Sequence, residues 1–242
     1  MTDTASLSLT ARTLVVDLEG TTSAAGFILG DLYDYARPRL QGWLDAHAND
    51  AAVAEARAQA IADAGLPSGA DTEQVVGVLH DWMAQDVKAT PLKTLQGQIW
   101  AEGFRRGEIE SHFFDDVIPR LQAWHDEGLR IAVFSSGSVT SQVPWFRHSP
   151  GGDLTPLITD YFDTVNAGSK KVASSYDAIA ARLDTDAGDI VFFTDNPDEV
   201  RAAQIAGWQV VAFARENEPF FGADFGRVPV VSSFADVDVV VP

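Results

Sequence analysis

A chain of 242 residues, 46% hydrophobic and 10% aromatic, can bury one large core or a core with a smaller insertion, and it is not a disordered composition. Its formal charge of -18 argues against nucleic acid and anionic membrane surfaces, which require Lys and Arg, so an anionic substrate needs a local cation. With no cysteine, disulfides, zinc-thiolate sites and thiol catalysis are excluded.

No basic stretch leads into an apolar segment at the N-terminus, and no run approaches the ~18 apolar residues of a membrane span. A soluble, cytoplasmic protein is expected. The first predicted strand, over 13–17, is apolar until it meets Asp17, Leu18 and Glu19. In an extended backbone residues two apart share a side, so both carboxylates are expected to project together from the strand's C-terminal end.

From 31 to 106 the pattern is helical. Leu32, Tyr35, Leu40 and Leu44 recur at helical spacing, and Pro38 is expected to open a helix. An alanine-rich helix over 51–64 is closed by Gly65 and Pro67. Asp71 reads as an N-cap with Gln74 three residues on, and Thr90-Pro91 opens the last helix of this block.

Thereafter the elements alternate. Helix 117–127, strand 129–134, helix 139–147 and strand 161–165 precede helix 173–183, strand 189–194, helix 197–206 and strand 208–212. This alternation predicts an α/β fold, a Rossmann-like parallel sheet with helices on both faces. The all-helical block reads as a cap inserted after the first strand. Residues 1–23 and 116–242 then form a discontinuous core, with 24–115 as the cap that closes over its crevice.

Three strands end in polar groups, VVDLE, VFSSGS and FFTDNPDE. Side by side they aim Asp17, Glu19, Ser135, Ser136 and Asp195 into one crevice, where open α/β sheets bind ligands. Carboxylates from different strands form a hard-oxygen donor set suited to Mg2+. An Asp beside such a metal can attack phosphorus, with a neighbouring acid for proton transfer, serines for the phosphoryl oxygens and a lysine for the remaining charge. Lys170 and Lys171 are the lysine candidates, with Lys171 read as a solvated surface residue.

Blander readings stand beside these. A single Asp at a strand end most often caps a turn, and Glu19 alone would pass for a solvated loop acid. Ser135, Ser136 and Gly137 are expected to cap a helix as well as to hold phosphate. Asp195 likewise reads as an N-cap with Pro197 behind it. His47, His80, His112, His125 and His148 show no ligand spacing and read as structural or exposed.

The order Asp17-x-Glu19-Gly-Thr, strand-Ser135, Lys170, strand-Asp195 resembles the four motifs of the haloacid dehalogenase-like superfamily. Glu19 stands where that superfamily usually has a second Asp, and DLEGTT is similar to its enolase-phosphatase family. LQGQIW (95–100), FFDDVIP (113–119), FSSGS (134–138) and HSPGGDLTPLITDYFDT (148–164) resemble the same family. The likeness extends from the first strand to about position 215.

The resemblance implies Asp17 as nucleophile and metal ligand. Glu19 would be the acid/base and lend its backbone carbonyl to the metal, and Asp195 would be a further metal ligand. Ser135, Ser136 and Lys170 would bind the phosphate, Lys170 by the Gly-x-Lys-(five)-Tyr spacing of GSKKVASSY, and Glu199 would be an accessory acid. One Mg2+ per subunit is implied. The partner is a small-molecule phosphate ester, with no nucleic acid and no membrane, and a monomer is expected.

The implied activity converts 2,3-diketo-5-methylthiopentyl-1-phosphate to the acireductone 1,2-dihydroxy-3-keto-5-methylthiopentene and phosphate, through an aspartyl-phosphate, in L-methionine salvage. A general sugar- or metabolite-phosphate phosphatase is the alternative. A non-catalytic binding protein fits the intact Asp17, Glu19 and Asp195 less well, and dehalogenation would need neither metal nor Asp195. Asn196-Pro197-Asp198 and Arg215-Glu216-Asn217-Glu218 depart from the family's common residues, leaving Asp198 and Arg215 without a role.

Overall fold

The computed structural model describes residues 6–85 and 87–242, and the chain divides into two units. One comprises the described residues up to Phe27 together with Glu110–Pro242; the other is Ile28–Ile109. Asp3 and the rest of 1–5, on which the reading of the N-terminus drew, lie outside the described residues.

In chain order β1 (Leu7–Thr10), β2 (Thr13–Val16) and the short α1 (Ala25–Phe27) come first. The helices of the second unit follow: α2 (Tyr33–Ala36), α3 (Leu40–Ala46), α4 (Ala51–Asp63), α5 (Thr72–Ala84) and α6 (Thr90–Arg106). The first unit resumes with α7 (Val117–Asp126), β3 (Arg130–Phe134), α8 (Val139–Arg147), β4 (Ile158–Phe162) and α9 (Ala173–Leu183). It ends with β5 (Ile190–Thr194), α10 (Pro197–Ile205), β6 (Gln209–Phe213), β7 (Val230–Val231) and β8 (Val237–Val240).

The six-stranded sheet runs β4-β3-β2-β5-β6-β7 with every pairing parallel, as the alternation predicts. Its central strand TLVV is buried throughout, which a sheet covered on both faces demands. Strand alternation then sorts the aromatics. Phe192 packs with Phe134, Tyr176 of α9 and Trp208, whereas Phe193 packs with Trp124 of α7, Phe213 and Phe234. The chain winds from β2 to β3 and β4 on one side and returns to β5 on the other. The C-terminal ends of β2 and β5 therefore flank the switch point, where such sheets form a crevice.

Two boundaries and one strand pairing differ from expectation. The strand predicted at 161–165 lies at Ile158–Phe162, because Asp163 ends it: its Oδ1 accepts the amides of Val165 and Asn166, both at 2.9 Å, in an Asx turn. Val165 is left 89% exposed. Pro38 sits in a single 3-10 turn, Arg37–Arg39, and the α-helix begins only at Leu40. The pair β1 and β8, parallel in a sheet of its own, was not anticipated from the sequence.

In the helical unit α4 starts at Asp50, whose carboxylate accepts the amides of Ala52 and Val53 at 2.9 and 3.1 Å. Asp71 and Gln74 close the expected capping box on α5 at 2.9 and 3.0 Å. Leu40, Leu44, Val53, Ala60, Val75, Leu79, Leu95 and Ile99 form a core of this unit's own. Among the described residues no helix is long and apolar enough to cross a membrane.

Candidate active site

Asp17 follows β2 directly, and its amide extends the ladder by one bond, donating to the Phe193 carbonyl at 3.0 Å. Beyond it the backbone is not extended. The Leu18 carbonyl accepts the amides of Thr21, Thr22 and Ser23 at 3.3, 3.0 and 2.8 Å, which closes 18–23 into a turn. Thr22 Oγ1 donates to the Asp17 carbonyl at 2.8 Å and ties the turn to the strand end. The expected strand alternation therefore does not bring Asp17 and Glu19 together; the turn does.

Gly20 is what this turn needs. Its φ is +75°, which L side chains adopt at a cost, and a Cβ there would fall on the carboxylate of Asp195. Asp195 arrives from the end of β5. The N-cap of α10 is Asn196 rather than Asp195: the Asn196 side chain accepts the Asp198 amide at 2.9 Å, with Pro197 at the first helical position. The carboxylate of Asp195 is thereby left free of capping duty.

Ser135 follows β3, and its amide donates to the Phe162 carbonyl at 3.1 Å. Its hydroxyl donates to Glu19 Oε2 at 3.1 Å and accepts the Gly137 amide at 3.0 Å. Ser135, Ser136 and Gly137 do not occupy the N-cap of α8, contrary to the expectation from the sequence. Ser138 holds the N-cap position, and the first helical amide, Val139, donates to Asp163 Oδ2 at 2.9 Å. Ser136 follows Ser135 in the same loop, half-buried.

Lys170 lies in the segment between β4 and α9. Its ammonium donates to Asp17 Oδ1 and pairs with Glu199 Oε2 at 2.8 Å, with the Phe134 and Phe192 rings 5.7 and 5.8 Å away. The Tyr176 hydroxyl donates to the Lys170 carbonyl at 2.6 Å, and Thr194 Oγ1 donates to Glu199 Oε2 at 2.7 Å. These two positioning contacts were missed at the sequence level, although Tyr176 and Thr194 stand inside quoted motifs. The side chain of Lys170 is 6% exposed and that of Lys171 is 58% exposed, the latter paired with Asp198 at 3.0 Å. Burial thus distinguishes the two lysines.

One buried ammonium faces four acids. Burial raises the Asp17 carboxyl well above its ordinary value; Lys170 opposes this, while Glu199, Glu19 and Asp195 add to it. Burial, with Glu199 and then Glu19 and Glu218, pushes Asp195 up to about 7 against the pull of Lys170. Burial alone would lower Lys170, but Asp17, Glu199 and Glu19 outweigh it, so the ammonium keeps its proton.

Surplus negative charge on hard oxygens is a setting that a divalent cation relieves. Among the described residues no three His, Cys, Asp or Glu form a ready-made cage. A cation held by one or two carboxylates, a backbone carbonyl and water needs none. Asp17 and Asp195, two buried carboxylates from the ends of neighbouring strands, are donors of that chemical kind. The same arrangement sets buried carboxylates beside a fixed ammonium, the kinds of group that phosphoryl transfer uses.

Comparison with known proteins accords with this geometry. A model of the haloacid dehalogenase-like hydrolases matches residues 11–207. The chain is 50% identical to enolase-phosphatase E1 of Saccharopolyspora erythraea, covering 98% of this chain and 99% of the relative. It is 48% identical to enolase-phosphatase E1 of Streptomyces avermitilis, covering 93% and 94%. The crystal structure of the UTR4 protein from Saccharomyces cerevisiae superposes with a TM-score of 0.75 at 27% identity, covering 93% of this chain and 98% of that one. The chain is a hydrolase that belongs to the haloacid dehalogenase-like family and, within it, to the enolase-phosphatases E1.

Proposed function

We propose that this protein is a Mg2+-dependent enolase-phosphatase that converts 2,3-diketo-5-methylthiopentyl-1-phosphate to the acireductone 1,2-dihydroxy-3-keto-5-methylthiopentene and phosphate in methionine salvage. The observation that carries this reading is the Asp17 carboxylate, buried at the end of the central strand against Lys170, in a chain similar over nearly its full length to enolase-phosphatases E1. Asp17 attacks phosphorus and forms an aspartyl-phosphate as the bond to the substrate oxygen breaks, while Glu19 gives that oxygen its proton. Glu19 then takes a proton from water, whose oxygen attacks phosphorus and frees Asp17 and inorganic phosphate.

Ser135 and Ser136 hold phosphoryl oxygens, Lys170 offsets their charge, and Glu199 keeps Lys170 aimed. Asp17, the Glu19 carbonyl and Asp195 would hold Mg2+, which when bound would supply Lewis-acid polarisation of the dicarbonyl and offset phosphoryl charge. The purified protein is tested on the diketone phosphate and on a panel of sugar phosphates, with and without Mg2+, following enolisation and phosphate release. Metal-dependent enolisation and release from the diketone support the reading. Faster turnover of a sugar phosphate, or no release from any phosphoester, overturns it.

A further inference from the structure

Two segments that the proposed chemistry leaves unused, FFDDVIP and the stretch after β6, meet around one buried guanidinium. Nη1 and Nη2 of Arg215 donate to Oδ1 and Oδ2 of Asp116 at 3.0 and 2.9 Å, a bidentate fork, and Nη1 also donates to the Ser232 carbonyl at 3.1 Å. Asp116 is fixed in turn by the Phe234 amide at 2.6 Å. The Phe114 ring centroid lies 4.1 Å from the guanidinium and that of Phe213 lies 5.0 Å away. The third face of the guanidinium is turned to the turn after Asp17: Nε donates to the Thr21 carbonyl at 2.7 Å.

The neighbouring carbonyl is held from the same side, because the Phe114 amide donates to the Thr22 carbonyl at 3.1 Å. Segment 113–119 thus grips two consecutive carbonyls of the turn, one directly and one through Arg215. The groups on the turn's other side do the proposed chemistry. Thr22 Oγ1 bonds the Asp17 carbonyl, Gly20 abuts Asp195, and Glu19 meets Ser135. A lysine at 215 would be a point charge without the fork, unable to hold Asp116 bidentately and the carbonyl together.

We propose that Arg215, locked by Asp116, is a positioning residue that sets the place of Glu19 and Gly20 relative to Asp17 and Asp195; its kinetic consequence rests on the reading of Asp17 as nucleophile. The test compares Arg215→Lys and Asp116→Asn with a structural control, Arg120→Ala. Arg120 donates to the Val237 carbonyl at 3.0 and 2.6 Å and to Asp238, with no bond to the turn. Displacing a reacting group by about an ångström can cost on the order of 100-fold in rate. Both positioning variants are therefore expected to lose about 10- to 100-fold in kcat with KM within about threefold.

Arg120→Ala is expected to melt earlier than wild type yet keep its kcat. Amide hydrogen exchange of the peptide over 17–24 reads the turn without turnover. It is expected to quicken about tenfold or more in Arg215→Lys and to stay unchanged in Arg120→Ala. A folded Arg215→Lys with wild-type exchange in that peptide overturns the inference, and so does a loss of kcat in Arg120→Ala as large as in the Arg215 variant. A wild type without phosphatase activity whose turn still loosens in Arg215→Lys would count against the proposed function and leave the anchoring intact.

Discussion

Replacing Asp195 by Asn removes a charge that the folded state disfavours, so in the absence of metal the variant should be more stable than wild type while losing phosphatase activity. The ordinary value of the carboxyl is 3.8, and burial followed by Glu199 pushes it up to about 7. A rise of about three pH units, at about 1.4 kcal/mol each, amounts to about 4 kcal/mol at most, part of it shared with the neighbouring acids. A carboxyl raised in the folded state keeps its proton after the unfolded chain has released it. Wild-type stability should therefore decline as pH climbs from about 4 to about 7 and level off above.

Asn keeps the shape beside Gly20 and removes that decline. Urea unfolding in chelator from pH 4 to 8 measures it. The two proteins should coincide near pH 4 and separate by about 2–4 kcal/mol at pH 8. Added Mg2+ should stabilise wild type more at pH 8 than at pH 5 and the variant little at either. A gap that does not grow with pH, or a variant less stable than wild type at pH 8, would refute the reasoning.

Asp17→Asn should abolish phosphate release with its circular dichroism unchanged; near wild-type turnover would displace Asp17 as nucleophile. Lys170→Ala leaves Asp17 and Glu199 buried without their cation and should cost about 3–5 kcal/mol at neutral pH, as removing one partner of a buried pair does. That cost should shrink in acid as the Asp17 carboxyl, already raised by burial, takes up its proton, whereas Lys171→Ala should change stability and turnover little; equal effects would undo the distinction. Gly20→Ala combines a positive φ with a Cβ on the Asp195 carboxylate and should cost about 1–3 kcal/mol and more than tenfold in phosphate release, checked by melting and assay on the same sample. Unchanged turnover in that variant would mean that the approach of the turn to Asp195 does not matter.

The residues that meet at the site were legible because the three strands β2, β3 and β5 carry apolar runs that break only near their C-terminal ends. The polar residues that end those runs, Asp17, Ser135 and the pair Thr194-Asp195, stand at the C-terminal ends of neighbouring strands, where such sheets form a crevice. Lys170 was set apart from Lys171 only by the family resemblance, through its Gly-x-Lys-(five)-Tyr spacing, and the hydroxyl of Tyr176 on the Lys170 carbonyl gives that spacing a physical meaning. Capping was less legible. Asp195, Asn196 and Ser135 to Ser138 are all residue types that cap helices, and propensity alone does not rank neighbours.

By itself the sequence determined the alternation of strands and helices, hence a parallel sheet, and the types and order of the chemical groups at its edge. These follow from periodicity and from local breaks in it, which a chain carries in every short window. Only the tertiary structure decided how Asp17 and Glu19 come to share a site, through a turn closed on the Leu18 carbonyl rather than along a strand. It alone joined β1 to β8, and Arg215 to Asp116 and Thr21, pairs roughly a hundred or more residues apart. Such contacts leave no periodic trace, because what selects them is the packing of a whole unit around one buried charge.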